Sequence, residues 1–259
     1  MKVHHLNCGT MCAPNATLVC HVLLIETAEG LVLVDSGFGL LDIADPVGRV
    51  GVERMLIRPV LDPSETAVHQ IRALGFEPED VRHVIATHLD SDHIGGLADF
   101  PHATLHLTAA EALAMRRPTE GDRLRFNSML WEHDPTIVEY RPEGESWRGF
   151  TAQELTGISP GIVMIPMPGH TRGHTAIAVD AGHRWVMHCG DAFLHSGTVD
   201  GRSPVPGMLA AAENMLAHDR ELVQDNHARL ADLYRSSGPD LLMVCSHDPG
   251  MFEQAAATS

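Results

Sequence analysis

Apolar residues along this chain fall into short unbroken runs more often than into long periodic stretches. TLVCHVLLI at 17–25 and LVLVD at 31–35, separated by ETAEG, predict a β-hairpin. VRHVIAT at 81–87, GIVMIPM at 161–167, the segments 175–180 and 184–189, and Leu241 to Cys245 predict further strands. Helical spacing enters between them. Residues 62–75 open on Asp62-Pro63-Ser64, place Ala67, Val68, Ile71 and Leu74 on one face, and stop at Gly75. ATLHLTAAEALAMRR reads as a short strand followed by a helix that Pro118 stops. Residues 207–235 read as one long helical region, with Leu222, Ala228, Leu230 and Leu233 among its apolar positions. Residues 118–160 have no clear period and read as an insertion or lid. Alternating strands and helices predict one mixed α/β layered domain over 1–259.

Polar clusters stand where the apolar runs end. Asp35 follows LVLV; His88, Asp90, Asp92 and His93 follow the strand at 81–87, before Gly95-Gly96; His170 lies in PGHTRGHT, Asp191 in HCGD and His247 in SHD. Loops at strand ends are where α/β proteins present reactive side chains. Imidazoles and carboxylates converging from several directions are what a divalent metal requires. Seven such groups exceed the needs of one tetrahedral ion and suit two ions sharing a bridging carboxylate.

Composition narrows the classes of function. A chain of 259 residues, 44% hydrophobic and 20% charged, has ample material for a core. Its 18 basic against 34 acidic residues give a formal charge of −16, which repels phosphate backbones and argues against nucleic acid as a partner. The 18 histidines prove nothing by number; their context selects among them. Five cysteines without a CxxC pair point to reduced, buried thiols, although Cys8 and Cys12 form a CxxxC that could hold zinc. No apolar leader follows Met1, and runs such as LVLV are too short for a bilayer, so a cytoplasmic protein with no membrane partner is expected.

The motif His88-Leu89-Asp90-Ser91-Asp92-His93, with His170, Asp191 and His247 following in order, resembles that of metallo-β-lactamase-fold metallohydrolases, whose leading motif is HxHxDH. VDSG at 34–37 and PGHTRGHT at 168–175 resemble further motifs of lactonase-like and glyoxalase-II-like members, so the likeness covers nearly the whole chain. The resemblance implies a four-layer αββα sandwich with two divalent ions, zinc first and iron or manganese as alternatives. One ion would take His88, the residue at 90 and His170; the other would take Asp92, His93 and His247; Asp191 would bridge. The implied activity is hydrolysis of a small-molecule ester, thioester or lactone by a metal-bridging hydroxide, with Asp92 and Asp191 central. An iron-dependent oxidoreductase on the same fold is the alternative.

Asp90 departs from the family pattern, which has histidine there. It could serve as an oxygen ligand, bias the site toward harder metals, or turn away and leave one metal. His195, four residues past Asp191, is a candidate general acid, since the tyrosine of lactone-hydrolysing relatives is missing from Asp191-Ala-Phe-Leu-His195. His174, His188 and Asp35 are expected to orient ligands. His4, His5 and His21 are read as structural or tail residues.

Overall fold

In the computed structural model, residues 1–14 and 16–258 are described. Among them, two six-stranded sheets stand face to face. The first runs in space as β1 (Lys2–Ala13), β2 (Ala16–Thr27), β3 (Gly30–Val34), β4 (Val81–Ile85), β5 (Thr104–Thr108) and β6 (Ile137–Tyr140). Its first three strands pair antiparallel, and β3 to β6 pair parallel. The second contains β7 (Glu145–Trp147), β8 (Phe150–Glu154), β9 (Ile162–Pro166), β10 (Thr175–Asp180), β11 (Trp185–His188) and β12 (Leu241–Val244), ordered β12-β11-β10-β9-β8-β7. Only β11 and β12 pair parallel there.

The helices are α1 (Leu40–Ala44), α2 (Arg54–Ile57), α3 (Ala67–Ala73), α4 (Ser91–Ile94), α5 (Ala109–Arg116), α6 (Glu120–Arg125), α7 (Gly197–Asp200), α8 (Gly207–Leu216), α9 (Arg220–Ser236) and α10 (Pro249–Ala256). They cover the outer faces, giving the expected αββα sandwich. Both faces of each sheet are therefore dry, which is why the strands read as continuous apolar runs. In β2, Leu23 and Ile25 enter the core between the sheets, while Val22 and Leu24 meet the outer layer containing Val68 and Ile71 of α3. In β9, Ile162 and Met164 point inward, and Val163 and Ile165 pack with Leu230 and Leu233 of α9. Each fully buried aliphatic side chain contributes roughly 1.5–3 kcal/mol.

Four sequence expectations change. The N-terminal residues form β1, an edge strand whose register shifts between Asn7 and Thr10, which hides its alternation. His4 and His5 are accordingly strand residues. The segment 118–160, read as an insertion or lid, supplies β6 to one sheet and β7 and β8 to the other. These strands are short and half-exposed at sheet edges, so they carry little hydrophobic period. The helical region at 207–235 is two helices, because the Asp219 carboxylate accepts from Glu221 N–H and Leu222 N–H and starts α9 anew. The C-terminal α10 was not foreseen; Asp248 caps it and Pro249 opens it. No helix is long and apolar enough to cross a membrane among the described residues.

Candidate metal centre

Five loops meet at one edge of the sandwich. They follow β3, β4, β11 and β12, and join β9 to β10. Backbone hydrogen bonds stitch the sheets together there, from Thr175 N–H to Thr87 O (3.0 Å) and from His21 N–H to Ser246 O (2.9 Å). The meeting brings together all seven predicted metal ligands, in the overlapping sets His88–Asp90–His170, His88–His93–Asp191 and Asp92–His93–His247.

The ring orientations decide which nitrogens are available. Asp35, buried at the end of β3 with φ +60°, accepts from Thr87 N–H (2.7 Å) and Thr87 Oγ1–H (2.8 Å). It also accepts from His93 Nδ1–H (2.9 Å), which leaves His93 Nε2 as the nitrogen facing the cluster. The Thr87 hydroxyl donates to Asp35, so its 3.0 Å contact with His88 Nδ1 is one in which the ring donates. His88 thus turns a lone pair on Nε2 toward Asp90 Oδ2, 3.1 Å away. His247 donates from Nδ1 to Val19 O (2.8 Å) and presents Nε2 to Asp191. His174 donates to Met167 O (3.1 Å) and accepts from Asp191 N–H (2.9 Å), which positions Asp191. Gly190 precedes Asp191 at φ +54°, where a Cβ would stand 2.6 Å from His174 Nε2. His188 bonds His21 O (2.7 Å) and so ties β11 to β2.

Electrostatics mark the same centre. Burial opposes charge on His93, but Asp191, Asp92 and Asp35 outweigh it and raise its pKa well above the usual imidazole range. Burial likewise opposes the charge on His247, yet Asp191 leads the groups that push it up to about 9. Burial, followed by His93, pushes His88 down to about 4. Burial also raises the Asp90 carboxyl, but the Arg125 guanidinium more than compensates, holding it well below the ordinary carboxylate range.

The cluster Asp92, His93, Asp191 and His247 fits a divalent ion. His93 Nε2 and Asp191 Oδ1 are buried without a hydrogen-bond partner, 3.4 Å apart. His247 Nε2 lies 3.1 Å from Asp191 Oδ1 and 3.5 Å from Asp92 Oδ2. Ligand atoms around one small ion stand about this far from each other. The trio His88, Asp90 and His170 is different, because a guanidinium is already there. Arg125 Nη2 lies 2.5 Å from both Asp90 Oδ2 and His170 Nε2.

Two participants escaped the sequence reading. Arg125 ends α6, inside the segment that showed no period. Glu111 of α5 accepts from Leu89 N–H (3.1 Å), Thr171 Oγ1–H (2.9 Å) and Gly173 N–H (2.9 Å), clamping the 88–93 and 170–174 loops together. Burial pushes Glu111 up to about 7. Glu111 offered no signal in one sequence, whereas a carboxylate at 90 in place of a neutral imidazole does ask for a counter-cation. His195 is half-buried, and its Nδ1 accepts from Gly197 N–H (3.0 Å); no hydrogen bond joins its ring to the seven ligands. No cysteine belongs to a ligand cluster among the described residues.

The family model of the metallo-beta-lactamase superfamily matches residues 16–231. A probable metallo-hydrolase of Mycobacterium tuberculosis is 56% identical over 261 residues, covering all of this chain and 84% of that protein. The N-acyl homoserine lactonase AttM of Agrobacterium fabrum is 35% identical over 103 residues, 40% of this chain and 39% of that protein. A solved N-acyl homoserine lactone hydrolase, with N-hexanoyl-L-homoserine bound at its catalytic metal center, superposes with a TM-score of 0.72. It is 20% identical and covers 98% of this chain and 95% of that one, a likeness of fold.

Proposed function

The chain belongs to the metallo-beta-lactamase superfamily, and from that premise we propose that it hydrolyses a small ester, thioester or lactone. The observation that carries the reading is the convergence of Asp92, His93, Asp191 and His247, with His93 Nε2 and Asp191 Oδ1 buried without a hydrogen-bond partner. These four residues would hold a divalent ion, and two imidazoles with two carboxylates suit zinc. Such an ion supplies Lewis acidity to a carbonyl oxygen and acidifies a bound water.

The chain's own residues do the rest. Asp35 and Val19 O fix the two imidazoles with Nε2 inward. Asp191, itself held by His174, keeps both carboxylate oxygens in the centre. His195 accepts at Nδ1, which leaves hydrogen on Nε2 as the donor offered to the leaving group. The segments bordering the site carry exposed apolar side chains. Val52 is 79% exposed beside Glu53, which reaches Ser91, and Leu124 is 85% exposed beside Arg125. Such a rim suits a substrate with an apolar portion.

The test is a metal-reconstituted enzyme assayed on a panel of esters, thioesters and lactones. Asp92→Ala and Asp191→Ala should each lower kcat/KM by at least about 10³-fold. His195→Gln should lower kcat for poor leaving groups and spare activated ones. Wild-type turnover in both aspartate variants would rule the reading out.

A further inference from the structure

We propose that Arg125 stands where one of two metal ions is expected. Its guanidinium is the resident cation on Asp90 and His170 of the His88–Asp90–His170 trio, and a single divalent ion would be held by Asp92, His93, Asp191 and His247. The proposal rests on the hydrolase reading for its chemistry, but its ion count is measured independently of any substrate.

Hydrogen-bond valence carries the argument. A guanidinium has five N–H donors and no acceptor. Arg125 Nε donates to Asp90 Oδ1 (2.7 Å), and Nη2 to Asp90 Oδ2 (2.5 Å) and His170 Nε2 (2.5 Å). Nη1 donates to His170 O (2.9 Å) and Leu216 O (2.6 Å). All five donors are used. Because arginine cannot accept, His170 Nε2 must contribute its only lone pair, the pair a metal would need. Asp90 is engaged through both oxygens in the bidentate geometry that arginine favours.

The arginine is delivered by an anchored element. Thr119 and Asp122 form a capping box at the start of α6, and Arg172, two residues past His170, pairs with Asp122. Just past Arg125, Asn127 Nδ2 donates to Gly48 O (2.6 Å) and Arg49 O (2.8 Å). The identity of residue 90 now has a physical reason. A neutral imidazole there would leave a largely buried guanidinium without its bidentate carboxylate, with only Glu111 and Asp191 to offset it, whereas Asp90 pairs with it directly. Asp90 and Arg125 form one device, in which a fixed monocation offset by its own carboxylate takes the place of an exchangeable dication.

The experiment is zinc titration of chelator-stripped protein with metal analysis after desalting, together with anomalous scattering from zinc-loaded crystals. Wild type should bind one tight equivalent, with its anomalous peak among Asp92, His93, Asp191 and His247. Arg125→Ala and the double variant Asp90→His/Arg125→Ala should gain a second equivalent, tightened at least ~100-fold, since a neighbouring like charge is worth one to three orders of magnitude. Two tight equivalents in wild type, a peak within His88–Asp90–His170, or no binding at all would overturn the proposal. So would a folded double variant that still binds one. If the variants fail to fold, the wild-type count and map still decide. A single correctly placed zinc with no turnover on the ester panel would instead sink the hydrolase reading and leave this one standing.

Discussion

Asp35 is only three bonds deep in side chain, yet it sets the geometry of a ligand it never shares. It occupies a left-handed backbone position that aspartate and asparagine tolerate better than most residues. Asp35→Asn should therefore fold normally while weakening the acceptor that orients His93. Zinc affinity measured by chelator competition is expected to fall about 10- to 100-fold. Unchanged affinity would mean that His93 is held by its neighbours alone. Glu111 acts at the same scale, through three hydrogen bonds that join two ligand-bearing loops.

At the scale of elements, α6 brings the Arg125 charge to the site and carries an exposed apolar residue beside it in sequence. Within 118–160, Arg125 of α6 reaches Asp90 and His170, while β6, β7 and β8 build sheet edges. Leu124 projects into solvent next to Arg125. If this rim receives the apolar part of a substrate, Leu124→Asp should raise KM about tenfold for long-chain esters. That is the ~1.4 kcal/mol expected from losing some ~50–60 Å² of apolar burial. Values for short-chain esters should barely move. Equal effects on both would place the acyl chain elsewhere.

Across the whole molecule, buried histidines also tie strands together away from the candidate metal centre. His106 joins β4, β5 and β6 by bonding Tyr140 Oη (3.0 Å) and His83 Nδ1 (2.9 Å). Burial, with His83 adding to it, pushes its pKa down to about 3. A folded-state pKa below the unfolded value means that the unfolded chain takes up the proton first. The stabilising contribution is present above the unfolded value of ~6.5 and is lost as pH falls toward 3. Between pH 7 and pH 5 the native state should lose roughly 2 kcal/mol through this residue. Urea titrations at the two pH values should show a smaller difference for His106→Gln than for wild type. Identical differences would show that another group carries the acid sensitivity.

Much of the architecture was legible because short apolar runs ending in His and Asp clusters encode buried strands that deliver ligands. His88, Asp92, His93, His170, Asp191 and His247 carry that pattern in their own types and order. β1 and the edges β6, β7 and β8 stayed hidden because exposed edge strands need little alternation. The break at Asp219 was masked because apolar residues continue on both sides of it. By itself the sequence determined that buried strands end in His- and Asp-bearing loops in the order of the superfamily's motif, the donor set that a divalent ion takes. Tertiary structure alone decided what faces Asp90. Arg125 lies 35 residues away in an aperiodic stretch, and its guanidinium reaches the trio only because sheet pairing and the α6 anchors fold that stretch over the site.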